Sequence, residues 1–372
     1  MDIWHLNLPF LYPIKHSLAT HTSSENLVVK VTTEPPGAGY GEGVPREFVT
    51  GETVSGGLTF LKATLAPALL AQEFSSPPHL QEVLRQLFLK TAGQGHPGAF
   101  CALETAALDA AGRVWDRPLY EFFGPRSDGA LIYSAVLPRA PREQLVRLLG
   151  LVKQQEMAFL KLKVGGPEDL ETLKLAREIL GWEVELRVDA NCAWTAPEAI
   201  RRLRKMAPYR ISAVEQPVAR EDFAGLKAVG AGTGLPVIAD ESLCHERDAL
   251  RLIDLGACEI FNLRLSKCGG LEAANRIRQM AAAARVRCQL GCHVGETSIL
   301  SAAGRHFAAC GPELVYLEGS FSPFLFAREP VVQSLVFGHR GLTSPLPGPG
   351  LGIEVLDQSL HDLAVSHHQL TA

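Results

Sequence analysis

The rhythm of hydrophobic and polar positions changes once along this chain, near residue 125. Before that point, residues 3–9 and 26–33 have strand character, and Pro35-Pro36-Gly37 turns the chain toward a third strand around Gly39-Tyr40-Gly41-Glu42. Helical spacing follows at 59–72, 78–91 and 99–114. The last of these contains Leu103-Glu104-Thr105-Ala106-Ala107-Leu108-Asp109-Ala110-Ala111, whose small side chains allow close packing on a neighbour. Arg117-Pro118-Leu119-Tyr120 ends the unit.

From about 130 to 320, short β-rich apolar runs alternate with helical stretches, the mark of repeated βα units. The predicted strands are 130–137, 159–164, 183–189, 211–215, 236–240, 259–265, 286–291 and 314–318. Eight parallel strands with intervening helices close into a barrel. The expected architecture is therefore α/β: a (β/α)8-type TIM barrel over 126–324 behind an N-terminal α+β capping domain over 1–125. Residues 325–372, with Leu346-Pro347-Gly348-Pro349-Gly350, read as a tail that packs back on the capping domain.

Composition narrows the partners more than the fold. A net charge of −4 over 372 residues gives no electrostatic reason to expect nucleic acid or an anionic membrane. The start of the chain lacks the basic, apolar pattern of a signal peptide, and no apolar run reaches membrane-spanning length. All eight cysteines lie at or after Cys101, several in core-like segments, which fits reduced thiols and a cytoplasmic protein. The Cys288/Cys292 spacing is wrong for a zinc knuckle.

The chemistry is carried by the strand ends. Strand two ends Lys161-Leu162-Lys163, strand three Asp189-Ala190-Asn191, strand four Glu215-Gln216-Pro217 and strand five Asp240-Glu241-Ser242, while strand six leads to Lys267. Steps of 26, 26, 25 and 27 residues separate Lys163, Asp189, Glu215, Asp240 and Lys267, each one βα unit long. In a barrel these ends converge on one mouth. Three carboxylates there require a cation, and hard oxygen donors favour Mg2+, with Mn2+ as a substitute. Such an ion stabilises the dianionic enolate formed when a proton leaves the carbon next to a carboxylate. A lysine near a dication and a second lysine has a depressed pKa and can act as the base. Lysines on barrel strands also serve Schiff-base aldolases, but the carboxylate trio counts against that chemistry.

These segments, with Ser266-Lys267-Cys268-Gly269-Gly270 and the capping-domain pattern around Gly39–Glu42 and Asp109, resemble the enolase superfamily. Within it they resemble the muconate lactonizing enzyme-like subgroup of the mandelate racemase/muconate lactonizing enzyme family. The use of Lys or His bases with Mg2+ is general to that superfamily. The resemblance implies metal ligands at Asp189, Glu215 and Asp240, and Lys163 and Lys267 as acid/base groups on opposite faces of the substrate. It implies that Lys161 tunes Lys163 and helps hold the substrate carboxylate, and that Asn191 and Glu241 orient lysines and ligands.

The expected activity is that of an isomerase: α-proton transfer in a racemase or epimerase of an N-acyl amino acid or dipeptide-like acid. The alternatives on the same site are muconate-type cycloisomerisation and an o-succinylbenzoate synthase-like dehydration. Candidate substrate contacts are His16 and Arg46 on capping-domain loops, His293 and Glu296 after strand seven, and Glu318 on strand eight. Dipeptide epimerases of the family carry an Asp-x-Asp pair on strand eight, where this chain has Tyr316 and Glu318. A small-molecule carboxylate and a homo-oligomer are the expected partners.

Overall fold

The fold was obtained as a computed structural model that describes residues 1–15, 20–34, 37–91, 95–127 and 129–371. The first three strands are β1 (Asp2–Lys15), β2 (Thr20–Thr33) and β3 (Gly37–Gly43), which pair antiparallel in that order. The first two are longer than the alternation of apolar residues predicted, because cross-strand pairing continues past the apolar run, as in Ile14 opposite His21.

Two long helices complete this unit, α1 (Pro77–Thr91) and α2 (Pro97–Val114), after a helical stretch over 54–70. Gly39, Gly41 and Gly43 on one face of β3 lie against the backbone of α2 at Ala110, Ala106, Ala102 and Gly98. Alternate strand residues thus meet every fourth helix residue, and only small side chains on both allow so close an approach. Asp109, buried in α2, accepts the N–H of Tyr40 at 2.8 Å and that of Leu351 at 2.7 Å, tying strand, helix and tail together.

The barrel strands are β4 (Ala135–Leu137), β5 (Phe159–Lys163), β6 (Glu185–Asp189), β7 (Ile211–Glu215), β8 (Val237–Ala239), β9 (Ile260–Leu263), β10 (Arg287–Leu290) and β11 (Leu314–Leu317). They form one parallel sheet in chain order. Tyr133 bridges to Leu317, and the Ser134 N–H donates to Leu317 O at 2.8 Å, which joins the first strand to the last and curls the sheet into a barrel. Seven helices alternate with the strands: α3 (Arg142–Gln154), α4 (Asp169–Leu180), α5 (Ala196–Met206), α6 (Phe223–Thr233), α7 (Glu246–Leu255), α8 (Leu271–Ala283) and α9 (Ser298–Ala308).

The chain after β11 serves both units. Leu342–Thr343 pairs antiparallel with Leu131–Ile132 beside the first barrel strand. The final strand, β12 (Ala364–Gln369), pairs antiparallel with β1 at the edge of the cap sheet. All eight cysteines are free thiols. Among the described residues no helix is long and apolar enough to cross a membrane.

Cap and barrel are joined by buried carboxylates at helix N-termini, where unpaired N–H groups and the helix dipole favour an anion. Glu42 at the end of β3 accepts the N–H groups of Thr297 (3.0 Å) and Leu300 (3.0 Å) at the start of α9. Glu104 of α2 accepts the Leu271 N–H at 2.5 Å at the start of α8. Burial pushes the Glu42 carboxyl up to about 7, against the hydrogen bonds it accepts.

Candidate active site

Strand register builds the site. Lys163 on β5 stands directly across from Asp189 on β6, and Asp189 directly across from Glu215 on β7. Asp240 follows the end of β8. Side chains alternate along a strand, so Lys161 and Lys163 share a face, and Lys161 pairs in register with Arg187. Asp189, Glu215 and Asp240 are fully buried.

The backbone turns sharply just beyond the carboxylates, with positive φ at Asn191 (43°), Cys192 (63°) and Gln216 (35°). Such conformations are uncommon for side-chain-bearing residues and persist where surrounding contacts over-determine them. Gln216 is one source of that constraint. Its Oε1 accepts the N–H groups of Asp240 (2.9 Å) and Ser242 (3.1 Å), while its amide donates to Val218 O and Ser242 Oγ.

Every carboxylate is met by a cation of the same chain. Lys161 Nζ reaches Glu215 at 3.1 and 3.2 Å, Glu318 at 2.6 Å and Asp189 at 3.4 Å. Burial opposes its charge, yet Glu215, Glu318 and Asp189 outweigh that and hold its pKa above the usual lysine value. Lys161 is held as a cation. Lys163 Nζ donates to Asp189 Oδ2 at 2.5 Å and Asn191 Oδ1 at 2.8 Å. Asn191 in turn donates to Glu241 at 3.1 Å. Burial, with the charges of Asp189 and Glu215, pushes the Glu241 carboxyl up.

At strand six, Lys267 lies on a short helix, Leu265–Cys268, and is fully buried. Its Nζ donates to Asp240 O (2.7 Å), Asp240 Oδ1 (2.8 Å) and Asn262 O (2.9 Å). Burial lowers its pKa, but three oxygen acceptors engage all three ammonium protons and leave no place for a lone pair. The cation at the end of β9 that faces the carboxylates is Arg264, which pairs with Asp240 and lies 3.9 Å from Glu215 Oε1. The sequence held a signal for it: Arg264 follows Asp240 by 24 residues, as close to one βα unit as the 27 of Lys267.

Glu318 is also placed differently from its expected role. Its oxygens accept from Lys161 Nζ and, at 2.6 Å, from Arg187 Nη2, so both are engaged by fixed cations rather than open to a substrate ammonium group. Burial opposes its charge, but those two cations hold its pKa below the usual range. Tyr316 turns its hydroxyl to Glu185 and stacks under the Arg187 guanidinium, 3.8 Å from the ring centre.

The cap-side candidates separate. His16 lies outside the described residues. Arg46 donates to Ser24 Oγ (2.7 Å), Pro45 O (2.8 Å) and Val294 O (2.9 Å), so its guanidinium clamps the cap to the loop after β10. Asn26 adds a bond to Gly295 O at 2.8 Å. Glu296 accepts the His293 N–H at 2.6 Å, and burial pushes its carboxyl up to about 8. It shares with Tyr133, Leu265, Leu290 and Glu318 the lining of a small cavity of about 10 Å³, room for about one water. His293 is 4% exposed and neither ring nitrogen has a hydrogen-bond partner. Burial, reinforced by Arg264, Arg46 and Lys267, keeps the imidazole neutral, well below its ordinary pKa.

Asp189, Glu215, Asp240 and Glu318 are thus paired with Lys161, Lys163, Arg187, Arg264 and Lys267, while Glu241 is held by Asn191. Among the described residues no three acidic, histidine or cysteine side chains are already drawn together around one point. The donor set nonetheless suits a hard divalent cation. Asp240 Oδ2 is buried and is met only by the Arg264 guanidinium, and Asp189 and Glu215 offer carboxylate oxygens on the two preceding strands.

Comparison with known proteins gives the same picture. The model of the "Mandelate racemase / muconate lactonizing enzyme, N-terminal domain" matches residues 3–124, and that described as "Enolase C-terminal domain-like" matches 144–359. The hydrophobic dipeptide epimerase of Enterococcus faecalis is 35% identical over 297 residues, 79% of this chain and 81% of that protein. The crystal structure of N-succinyl Arg/Lys racemase from Bacillus cereus superposes with a TM-score of 0.90 at 28% identity, covering 99% of this chain and 98% of the other. That of the dipeptide epimerase from Cytophaga hutchinsonii, complexed with Mg and D-Ala-L-Val, gives a TM-score of 0.88 at 27% identity over 99% and 98%.

Proposed function

The chain belongs to the enolase superfamily, in its muconate lactonizing enzyme-like subgroup, as an isomerase, and we propose that it racemises or epimerises the carbon next to a substrate carboxylate. The substrate class is an N-acyl amino acid or a dipeptide-like acid. The observation that carries this reading is Lys163: partly exposed at the end of β5, it is held by Asp189 and Asn191 beside the carboxylate row. A side chain fixed in this way is pre-positioned for proton transfer.

Asp189, Glu215 and Asp240 would hold a divalent cation such as Mg2+, which when bound supplies the positive charge that makes an α-proton next to a carboxylate removable. Lys161, kept charged by Glu215 and Glu318, supplies positive charge at the base of the site. Lys163 removes the α-proton on one face. Inversion needs a carrier on the other face, and His293, after β10 and with both ring nitrogens unengaged, meets that need better than the locked Lys267. Both oxygens of Glu318 being engaged favours an acylated over a free amino group in the substrate.

A second reading, one-sided proton transfer as in cycloisomerisation, is favoured by Arg264. It stands where an opposed base is expected, and a guanidinium does not deprotonate in proteins. The deciding experiment is NMR of α-proton exchange in D2O with Mg2+ across N-succinyl amino acids and dipeptides, with Lys163→Ala beside the native enzyme. Exchange with inversion, lost in the variant, is the expected result. Conversion of muconate, added to the panel, to a lactone would select the second reading, and neither exchange nor lactonisation with any acid would refute both.

A further inference from the structure

Arg264 differs from the other cations of the site in how little holds it. Lys161 is shared with Glu318, Lys163 with Asn191, Arg187 with Ser134, and Lys267 with two backbone carbonyls. Arg264 is 7% exposed, pairs with Asp240 Oδ2 and approaches Glu215 Oε1 at 3.9 Å. Its Nε has no hydrogen-bond partner, nor has Asp240 Oδ2 apart from this ion pair. A guanidinium carries five N–H donors, so a buried one with such sparse partners is poorly satisfied where it stands.

Its position is nevertheless dictated by charge. Glu215 and Asp240 are both enclosed, and enclosed carboxylates stay ionised only beside cations. The remaining oxygens have partners of their own: Lys161, Asn262 and Gln289 donate to Glu215, and Lys267 to Asp240 Oδ1. Asp240 Oδ2 is left to Arg264. A dication bound by the same pair would meet a permanent positive charge there, and the two cannot share it.

We propose that Arg264 is a tethered counter-ion which a divalent cation displaces: it neutralises Glu215 and Asp240 in the metal-free protein and leaves them when the ion binds. This rests on the reading that Asp189, Glu215 and Asp240 are the metal ligands. Metal affinity is then the net result of an exchange, weakened by the guanidinium that must first depart.

The test is calorimetric titration with Mg2+ alone, on native protein and on Arg264→Ala, Arg264→Gln and Asp240→Asn, each first checked for folding by circular dichroism. Both Arg264 variants are expected to bind Mg2+ on the order of fivefold or more tightly than the native chain, within the usual range of coupling between sites. In Arg264→Ala, methylguanidinium should restore the weaker native affinity, while sodium chloride at the same ionic strength should not. Unchanged or weaker binding in both Arg264 variants, or no effect of methylguanidinium, would overturn the displacement. Mg2+ binding that is absent from the native chain, or intact in Asp240→Asn, would instead overturn the ligand assignment on which it rests.

Discussion

Lys267 holds Asp240 by two oxygens at once, donating to its backbone O at 2.7 Å and to Oδ1 at 2.8 Å. A residue with that geometry is a strut for a carboxylate, and its removal leaves an enclosed negative charge with one fewer partner. Lys267→Met should therefore lower stability by about 3–5 kcal/mol, the usual cost of breaking one side of a buried ion pair. Urea unfolding measures it. A variant as stable as the native chain would contradict the strut.

Lys163 and His293 divide the two faces of the substrate in the epimerase reading. Lys163→Ala should cut α-proton exchange on the order of 10²–10⁴-fold for the enantiomer whose proton faces it. His293→Asn should leave that exchange in place and stop inversion. Exchange of each enantiomer in D2O, followed separately by NMR, resolves the pair. Inversion that survives in His293→Asn would remove the histidine from the mechanism.

Glu104 links cap to barrel and should do so in a pH-dependent way. Burial, aided by the charge of Glu272, raises its carboxyl to about 8. The folded protein therefore binds this proton more tightly than the unfolded chain does. Its contribution to stability is full below about 4.5, the ordinary value, and is lost as pH rises toward about 8. Glu104→Gln cannot titrate, so the native chain should lose stability relative to it between pH 5 and pH 8.5 by roughly a few kcal/mol. Equal slopes in urea midpoints at the two pH values would refute the linkage.

Gly41 sets the distance between β3 and α2. A Cβ there would run into the backbone of Ala102 and Ala106, and the helix backbone has no flexible side chain to yield. Gly41→Ala should cost about 1–3 kcal/mol, as other overpacked contacts do. A thermal melt reports it, and an unchanged midpoint would show that the strand and helix can separate freely.

The sequence by itself determined the order of the architecture and the membership of the carboxylate row. Strand alternation and βα spacing are local properties, so eight strands and the ladder of Lys163, Asp189, Glu215 and Asp240 follow from counting residues. The small residues of α2 were legible for the same reason, but that β3 is the neighbour they pack on was not. What the sequence did not decide was the direction of side chains once a strand had ended. Arg264 and Lys267 differ by three residues, and only the short helix at Leu265–Cys268 turns one toward the carboxylates and the other beneath them. Glu318 looked open to a substrate until packing brought Lys161 and Arg187 onto it, and Arg46 until the cap docked on Val294. Gln216, which holds the Asp240 turn, was legible only as part of Glu215-Gln216-Pro217, and Asn262 and Gln289, which hold Glu215, gave no sequence signal. Their roles depend on contacts between strands far apart in the chain, and such contacts exist only after the barrel has closed.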